Sequence, residues 1–312
     1  MTGETTSESP FAKLYVRLGL KEATKSRRHL SDFIFKILLG IVMIIIVSPF
    51  FLVLIEVAGI GFVQVFGTGP GQGLQFLFTF PGAGLQGGIR NALVGTVELV
   101  LMAAAVGIPL SVFGAVYINE YTQPGTVRSL IEFTSDVLAG IPSIVFGAFG
   151  FTFLVDFLHL GMGIVAGSLT LAFMMIPTIL RTTQEALRAV PMSLREASLA
   201  LGATKWSTTW NVTLRSAFPG VITGVLLATG RVMGETAPLI FTAGNSLSVP
   251  TDITGPGSWV ASMTYTIWAY ISDPRQYLQA KAHGTALTLM IMVLAIDVIA
   301  NLISRKVTRR LV

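Results

Sequence analysis

The sequence predicts an all-helical membrane protein with about six transmembrane helices. Of its 312 residues, 52% are hydrophobic and only 12% charged, about half the charged share of a soluble domain. The apolar residues are gathered in blocks of about 20, long enough to cross a bilayer. Lipid offers the backbone no hydrogen-bond partners, so each block is expected to be helical. Basic residues collect between the blocks rather than within them.

Residues 1–36 form a polar, basic tail with Lys13, Arg17, Lys21, Lys25, Arg27, Arg28 and Lys36. Phe11 to Leu20 has the pattern of a short amphipathic surface helix. A cleaved leader is not expected, because the charged region is long and no small-residue cleavage site follows at the right distance. The first span covers about Ile37 to Ile60, with Pro49 inside it. A Gly-, Phe- and Pro-rich outside loop fills out the segment 37–87. A core domain is expected over 88–304. Its second span covers about Ala92 to Ile118, its third about Ser135 to Leu158 and its fourth about Ile164 to Leu180. A polar loop follows at 181–216. The fifth span covers about Phe218 to Ala243, and an aromatic-rich outer segment occupies 244–283. The sixth span covers about Thr285 to Ile303, and 305–312 is a second basic tail.

With the N-terminus in the cytoplasm, all but four of the 21 Lys and Arg residues fall on the cytoplasmic side; the exceptions are Arg90, Arg231, Arg275 and Lys281. That asymmetry is the positive-inside pattern of a multi-pass inner-membrane protein. It also accounts for the net charge of +5 without any nucleic-acid partner. The chain has no Cys, which removes disulfides and thiolate metal sites, and its three His are far apart. There is no Gly-Lys pair, hence no phosphate-binding loop of the P-loop type. No nucleophile–base or paired-carboxylate arrangement points to an enzyme. No ATPase site, enzyme active site or cofactor is therefore expected on this chain.

The most informative loop is 185–215. Pro191 can start a helix, 193–201 has good helix formers, and Gly202 can end it. Lys205 to Leu214 reads as a second short helix, so the loop is expected to form a helix–turn–helix elbow. Glu196-Ala197-Ser198, with Gly202 four residues on and Val212 and Leu214 beyond, resembles the EAA loop of ABC importer permeases. The resemblance implies a coupling helix that docks on an ATP-hydrolysing subunit through Glu196, Ala197, Ser198 and Gly202. The family pattern has Pro after its last Leu, whereas Arg215 stands there in this chain; Pro219 is expected to act as the breaker instead. An ordinary amphipathic linker is the competing reading. The Asn211-Val212-Thr213 sequon lies in the same loop and is discounted as a glycosylation site on the cytoplasmic side.

Arg231 and Glu235 stand inside the otherwise apolar fifth span. A charge at the bilayer centre costs about 2.5 to 3.5 kcal/mol on insertion scales, so such residues usually face the bundle interior. Their i, i+4 spacing puts both on one helix face. A guanidinium offers a planar fork of donors to an oxyanion, Thr236 adds a hydroxyl, and Gly230 and Gly234 leave room. A purely structural ion pair is the alternative. Glu56, Glu98, Asp136 and Asp297 also lie in or near spans, where pairing, capping or a wet cavity accounts for such groups more often than substrate does.

The stretch GRVMGETAPLIFTAG, residues 230–244, resembles the signature of the A-type permease subunit of the high-affinity phosphate importer. EALRAVPMSLREASLALGATKW, residues 185–206, and the stretch from Gly88 through Asn91 and Val94-Gly95-Thr96 to Tyr117 and Glu120 resemble it too. The resemblance implies the type I ABC importer permease fold. It also implies phosphate as substrate and a translocation role for Arg231, Glu235 and Thr236. The implied partners are a homologous second permease, two ATPase subunits carrying ATP and Mg, and an extracytoplasmic phosphate-binding protein. A permease for molybdate, sulfate or an organic solute, and an ion-coupled secondary transporter, are the alternatives.

Overall fold

A computed structural model describes residues 20–253 and 258–308. The surface helix expected within 11–20, apart from Leu20, and the last basic residues at 309–312 lie outside them. The chain divides into two units, Met1–Glu56 and Val57–Val312. Helix α1, Leu20–Phe66, supplies the described part of the first unit and carries Pro49 without breaking.

Among its described residues the regular elements of the second unit are helices, apart from an isolated bridge between Pro81 and Gly87. Its elements are α2 (Leu74–Phe78), α3 (Arg90–Val116), α4 (Thr126–Gly140), α5 (Ser143–Gly150) and α6 (Ile164–Arg188). They continue with α7 (Met192–Ala200), α8 (Lys205–Met233), α9 (Ala237–Thr242), α10 (Met263–Ile271) and α11 (Gln276–Thr308). Single π-helical turns end α3 at Tyr117–Tyr121, extend α5 over Phe151–Phe157 and interrupt α8 at Thr209–Thr213.

Helix α6 is the axis of this unit, packing along α3 on one side and α8 on another. Leu171, Met175 and Ile179 of α6 meet Leu99 and Ala103 of α3, Ala228 and Val232 of α8, and Leu239 and Ala243 beyond. Two-thirds of its most apolar stretch is buried, which a membrane helix achieves only at the centre of a bundle. A second cluster joins Val65, Phe76, Ile89 and Ala92 to Ala261 and Met263.

Five helices among the described residues are long and apolar enough to cross a membrane, and the bent pair formed by α4 and α5 makes a sixth. The expected count of about six holds, but three local expectations do not. The third span is not straight: it bends by 103° between Gly140 and Ser143. Pro142 has no N–H to donate and forces the residue before it out of the helical region; Ile141 is accordingly extended, with ψ 134°. The fifth span does not run to Ala243. It stops at Met233 on the cap Gly234, and α9 restarts with Pro238 in its first turn, where the missing N–H costs nothing. The second elbow helix is not separate either, since Lys205 to Met233 is one helix. Pro219 lies inside it and breaks nothing.

Irregular backbone at membrane depth is tolerated only when its polar groups are satisfied within the protein. Among the described residues, the two ends of the segment between α9 and α10 are tied to the bundle in this way. Val260 N–H donates to Ala243 O at 3.2 Å, Gly163 N–H to Thr242 O at 2.9 Å, and Met263 N–H to Thr96 Oγ1 at 2.8 Å.

Candidate functional site

Two groups of residues singled out by the sequence occupy opposite ends of α8. That helix has 29 residues and spans about 40 Å at 1.5 Å per residue. Its first turn leaves the elbow; its last turn bears Arg231.

At the far end, Arg231 Nε lies 3.8 Å from Glu235 Oε1. The pair is not on one helix face as the spacing predicts, because the helix ends between them. Gly234 N–H donates to Arg231 O at 3.1 Å and Glu235 N–H to Val232 O at 3.2 Å, closing the last turn tightly. A cation in a last turn is favoured by the helix dipole. The hydroxyl of Thr264 on α10 donates to Glu235 O at 2.8 Å and anchors the break. The Glu235 side chain is 15% exposed and that of Arg231 is 43% exposed. Thr236 is half-buried at the start of α9.

Arg231 faces an open cleft of about 470 Å³ between α8 and α11, lined also by Thr223, Gly230, Asp297 and Asn301. A Cβ placed on Gly230 would stand 4.0 Å from Asp297 Oδ1, so the two helices approach across the cleft at this point. Asp297 makes no ion pair or hydrogen bond among the described residues. An open cleft that holds a guanidinium, a carboxylate, an amide and a hydroxyl is unsuited to lipid and suited to water, an anion or a partner helix. The sequence flagged Asp297 only as an acid within a span; its place opposite Arg231 comes from the pairing of α8 with α11, 66 residues apart in the chain. Of the other acids, Asp136 pairs with Arg181 at 3.4 Å. Glu98 does not line the cleft, and its Oε2 is enclosed without a hydrogen-bond partner among the described residues.

At the near end stands the elbow. Pro191 precedes α7, Gly202 follows it at φ +83°, and Thr204 caps α8 by accepting from Ser207 N–H at 3.2 Å. No residue of α7 is buried. Glu196 and Ala197 face outward, and Ser198 turns inward to share a hydrogen bond with Thr208 at 2.9 Å. Met192, Leu199, Leu201 and Trp206 are all exposed, Leu201 by 89%. These exposed apolar side chains of the elbow form the kind of patch that marks an interaction surface. Sequence spacing missed Arg195 altogether. It binds Glu120, 75 residues away, and no periodic pattern links them.

On the loop between α10 and α11, Arg275 Nη2 lies 2.7 Å from Asp273 Oδ2. Hydrogen bonds from Arg275 hold the Asp273 carboxyl down at about 2.

Residues 107–312 match the family described as binding-protein-dependent transport system inner membrane component. The chain is 40% identical over 228 residues to phosphate transport system permease protein PstA 2 of Mycobacterium bovis, covering 73% of this chain and 75% of that one. It is 36% identical over 220 residues to PstA of Yersinia pestis, covering 70% and 73%. Among solved structures, a subunit of a bacterial alginate ABC transporter superposes with a TM-score of 0.61 at 16% identity, covering 93% of this chain and 98% of that one. A chain of the MetNI methionine ABC transporter, in an inward-facing form, gives 0.56 at 19%, covering 70% and 97%. The fold is thus that of ABC importer permeases, and the chain belongs to the binding-protein-dependent transport system inner membrane component family.

Proposed function

We propose that this chain is the A-type permease subunit of an importer that moves inorganic phosphate into the cytoplasm, driven by ATP hydrolysed on separate subunits. The observation that carries the reading is Arg231, a half-exposed guanidinium at a helix break, opening on a polar cleft between two spans. Discontinuous helices near the bilayer midplane are where membrane transporters build their substrate sites. Relatives named as phosphate permeases, 34 to 40% identical, support phosphate as the anion.

The elbow, with Glu196, Ala197, Ser198 and Gly202, docks on the ATPase. ATP-driven closure of two ATPase subunits pushes α7, and α8 and α6 carry the movement into the bundle. A second permease faces the cleft, and an external binding protein delivers the anion. In this reading the termini and the elbow are cytoplasmic, as the distribution of Lys and Arg requires, and ATP and Mg belong to the partner subunits.

Reconstitution of the complete complex in vesicles tests the reading. Arg231→Gln should assemble normally yet lower the initial rate of phosphate uptake about 10- to 100-fold, the equivalent of one charge-assisted hydrogen-bonding site. Normal uptake by that variant sinks the site. A guanidinium binds any tetrahedral oxyanion, which favours sulfate or molybdate as the second reading. Competition by those anions at equal concentration separates the two. Uptake driven by an ion gradient without ATP would point instead to a secondary transporter.

A further inference from the structure

Arg195 touches neither the cleft nor the outward face of α7. Its guanidinium turns back into the protein, where Nη1 donates to Val190 O at 2.7 Å and Nη2 to Leu187 O at 2.8 Å. Nη2 also donates to Glu120 Oε1 at 3.0 Å, an oxygen that accepts from Asn119 Nδ2 at 2.8 Å as well. One planar group is thereby fastened to three elements: its own helix α7, the end of α6, and the π-helical turn that ends α3. The two carbonyls lie in the last turn of α6 and just past its end, where a cation is the natural partner, and Leu187 O also accepts from Val190 N–H at 3.3 Å. The π-helical turn places Glu120 at the contact, and such turns recur at functional positions.

The exposures set this contact apart. The side chains of Arg195 and Glu120 are 13% and 10% exposed, the most shielded ion pair among the described residues. Nearby pairs are wetter: Arg181 with Glu185 is 43% and 61% exposed, and Arg188 with Glu132 is 42% and 24%. Solvated pairs yield easily. A shielded pair resists opening, because parting it strands a charge away from water. Two further contacts tie the same ends together. Lys205 Nζ sits 5.1 Å over the Tyr121 ring, and Phe113 of α3 stacks on Trp210 at 6.2 Å and 14°.

We propose that Arg195 and Glu120 form the joint through which displacement of the elbow is passed to α3 and α6, the most extensively packed pair of helices in the bundle. Arg195 is a positioning residue, since its guanidinium is turned into the protein and engages only Glu120, Leu187 and Val190 among the described residues. The inference rests on the reading of α7 as the ATPase-docking helix. Glu196, its neighbour in sequence, faces the partner, while Arg195 faces the spans, so a push on one side of α7 is delivered on the other.

Arg195→Lys and Glu120→Gln test the joint in the complete complex, reconstituted with its partner permease, ATPase and binding protein. Lysine keeps a cation for the α6 carbonyls but lacks the fork that reaches all three acceptors at once. Glutamine keeps a side chain that Asn119 can bond. The quantity read is labelled inorganic phosphate taken up per ATP hydrolysed, alongside the ATPase recovered with the chain. Both variants should assemble in wild-type amounts, with phosphate per ATP falling about tenfold or more, within the range of about 5- to 150-fold typical of coupled sites. Phosphate per ATP unchanged from wild type in both variants overturns the joint. So does a loss of uptake and hydrolysis in proportion to a loss of complex, which is what a merely structural role gives. If the wild-type complex hydrolyses ATP but takes up no phosphate, the phosphate reading fails on its own. The joint is then judged by stimulation of hydrolysis by the binding protein: stimulation lost in the variants supports it, and stimulation retained overturns it.

Discussion

Glu235 Oε1 lies 3.8 Å from Arg231 Nε across the end of the helix that bears the arginine. At that separation the two attract as charges without a well-formed hydrogen bond, so the guanidinium donors stay available to an anion. Glu235→Gln removes the competitor. A pair with one partner 43% exposed contributes on the order of 1 kcal/mol at most. The half-saturating phosphate concentration should therefore fall by about two- to fivefold, and the maximal uptake rate should fall with it because the anion leaves more slowly. Initial-rate uptake over a range of phosphate concentrations reads both parameters. A change in neither shows that Glu235 only anchors the chain at the break.

Asp297 shares the cleft with Arg231 and makes no ion pair among the described residues. Two unit charges about 8 Å apart at an effective dielectric constant of about 20 interact by about 2 kcal/mol. Asp297→Asn deletes that repulsion toward an incoming anion while preserving the shape of the side chain. With Arg231 and water in the open cleft screening about two-thirds of that, phosphate should half-saturate about threefold lower, by about 0.7 kcal/mol. Sulfate, which carries no proton at neutral pH to donate to a carboxylate, should compete better than it does with wild type. Unchanged half-saturation and unchanged sulfate competition would place Asp297 outside the path of the anion.

The apolar blocks made the spans legible, and Pro191 with Gly202 made the elbow legible, because those signals are local. The break at Gly234 and the bend at Pro142 were also written locally, yet each sits inside an apolar run whose hydropathy conceals it. Only the terminal chemistry, Gly as a cap and Pro as a residue that cannot continue a helix, distinguishes them. Arg231 and Glu235 could be singled out because charge in lipid is costly wherever it falls, and Thr236 by its hydroxyl beside them. Asp297 and Glu120 were visible as residues, but not what they stand beside. Their roles depend on which helices lie side by side, and helices 66 or 75 residues apart in the chain leave no periodic trace of that adjacency.

Gly202 holds φ +83° with nothing within 4 Å of the position a Cβ would take. Substitution there strains the backbone without a clash. Gly202→Ala should cost about 1 to 2 kcal/mol in the docked elbow, the usual penalty for an L-residue in the left-handed region. The free variant escapes that strain by relaxing out of the left-handed conformation, which docking must restore, so binding of the ATPase should weaken by about 5- to 30-fold on that figure. Asn tolerates this conformation better than Ala, so Gly202→Asn should retain more of the affinity. Titration of purified ATPase onto permease in nanodiscs measures the series. Equal affinities for Ala and Asn would show that the loss comes from the docking surface rather than from the backbone.

Gly95 and Gly114 lie on the same helix, α3, and should respond to Ala in opposite ways. A Cβ on Gly95 would stand 2.1 Å from Ala261 O and 2.6 Å from Val260 Cγ2. Thr96, the next residue, accepts the Met263 N–H at 2.8 Å, so the irregular segment cannot retreat without breaking a buried hydrogen bond. Gly95→Ala should destabilise the chain by about 1 to 3 kcal/mol, as overpacking generally does. At Gly114 the nearest atom to a Cβ is Leu180 Cδ1 at 3.6 Å, an ordinary contact. Gly114→Ala should be neutral or stabilising by up to about 1 kcal/mol, the difference in helix propensity. Thermal unfolding midpoints of the detergent-solubilised chain give the two signs directly. Equal shifts at both positions would mean that α3 does not approach the 258–263 backbone closely, and the anchoring of the helix break through α10 would lose its physical basis.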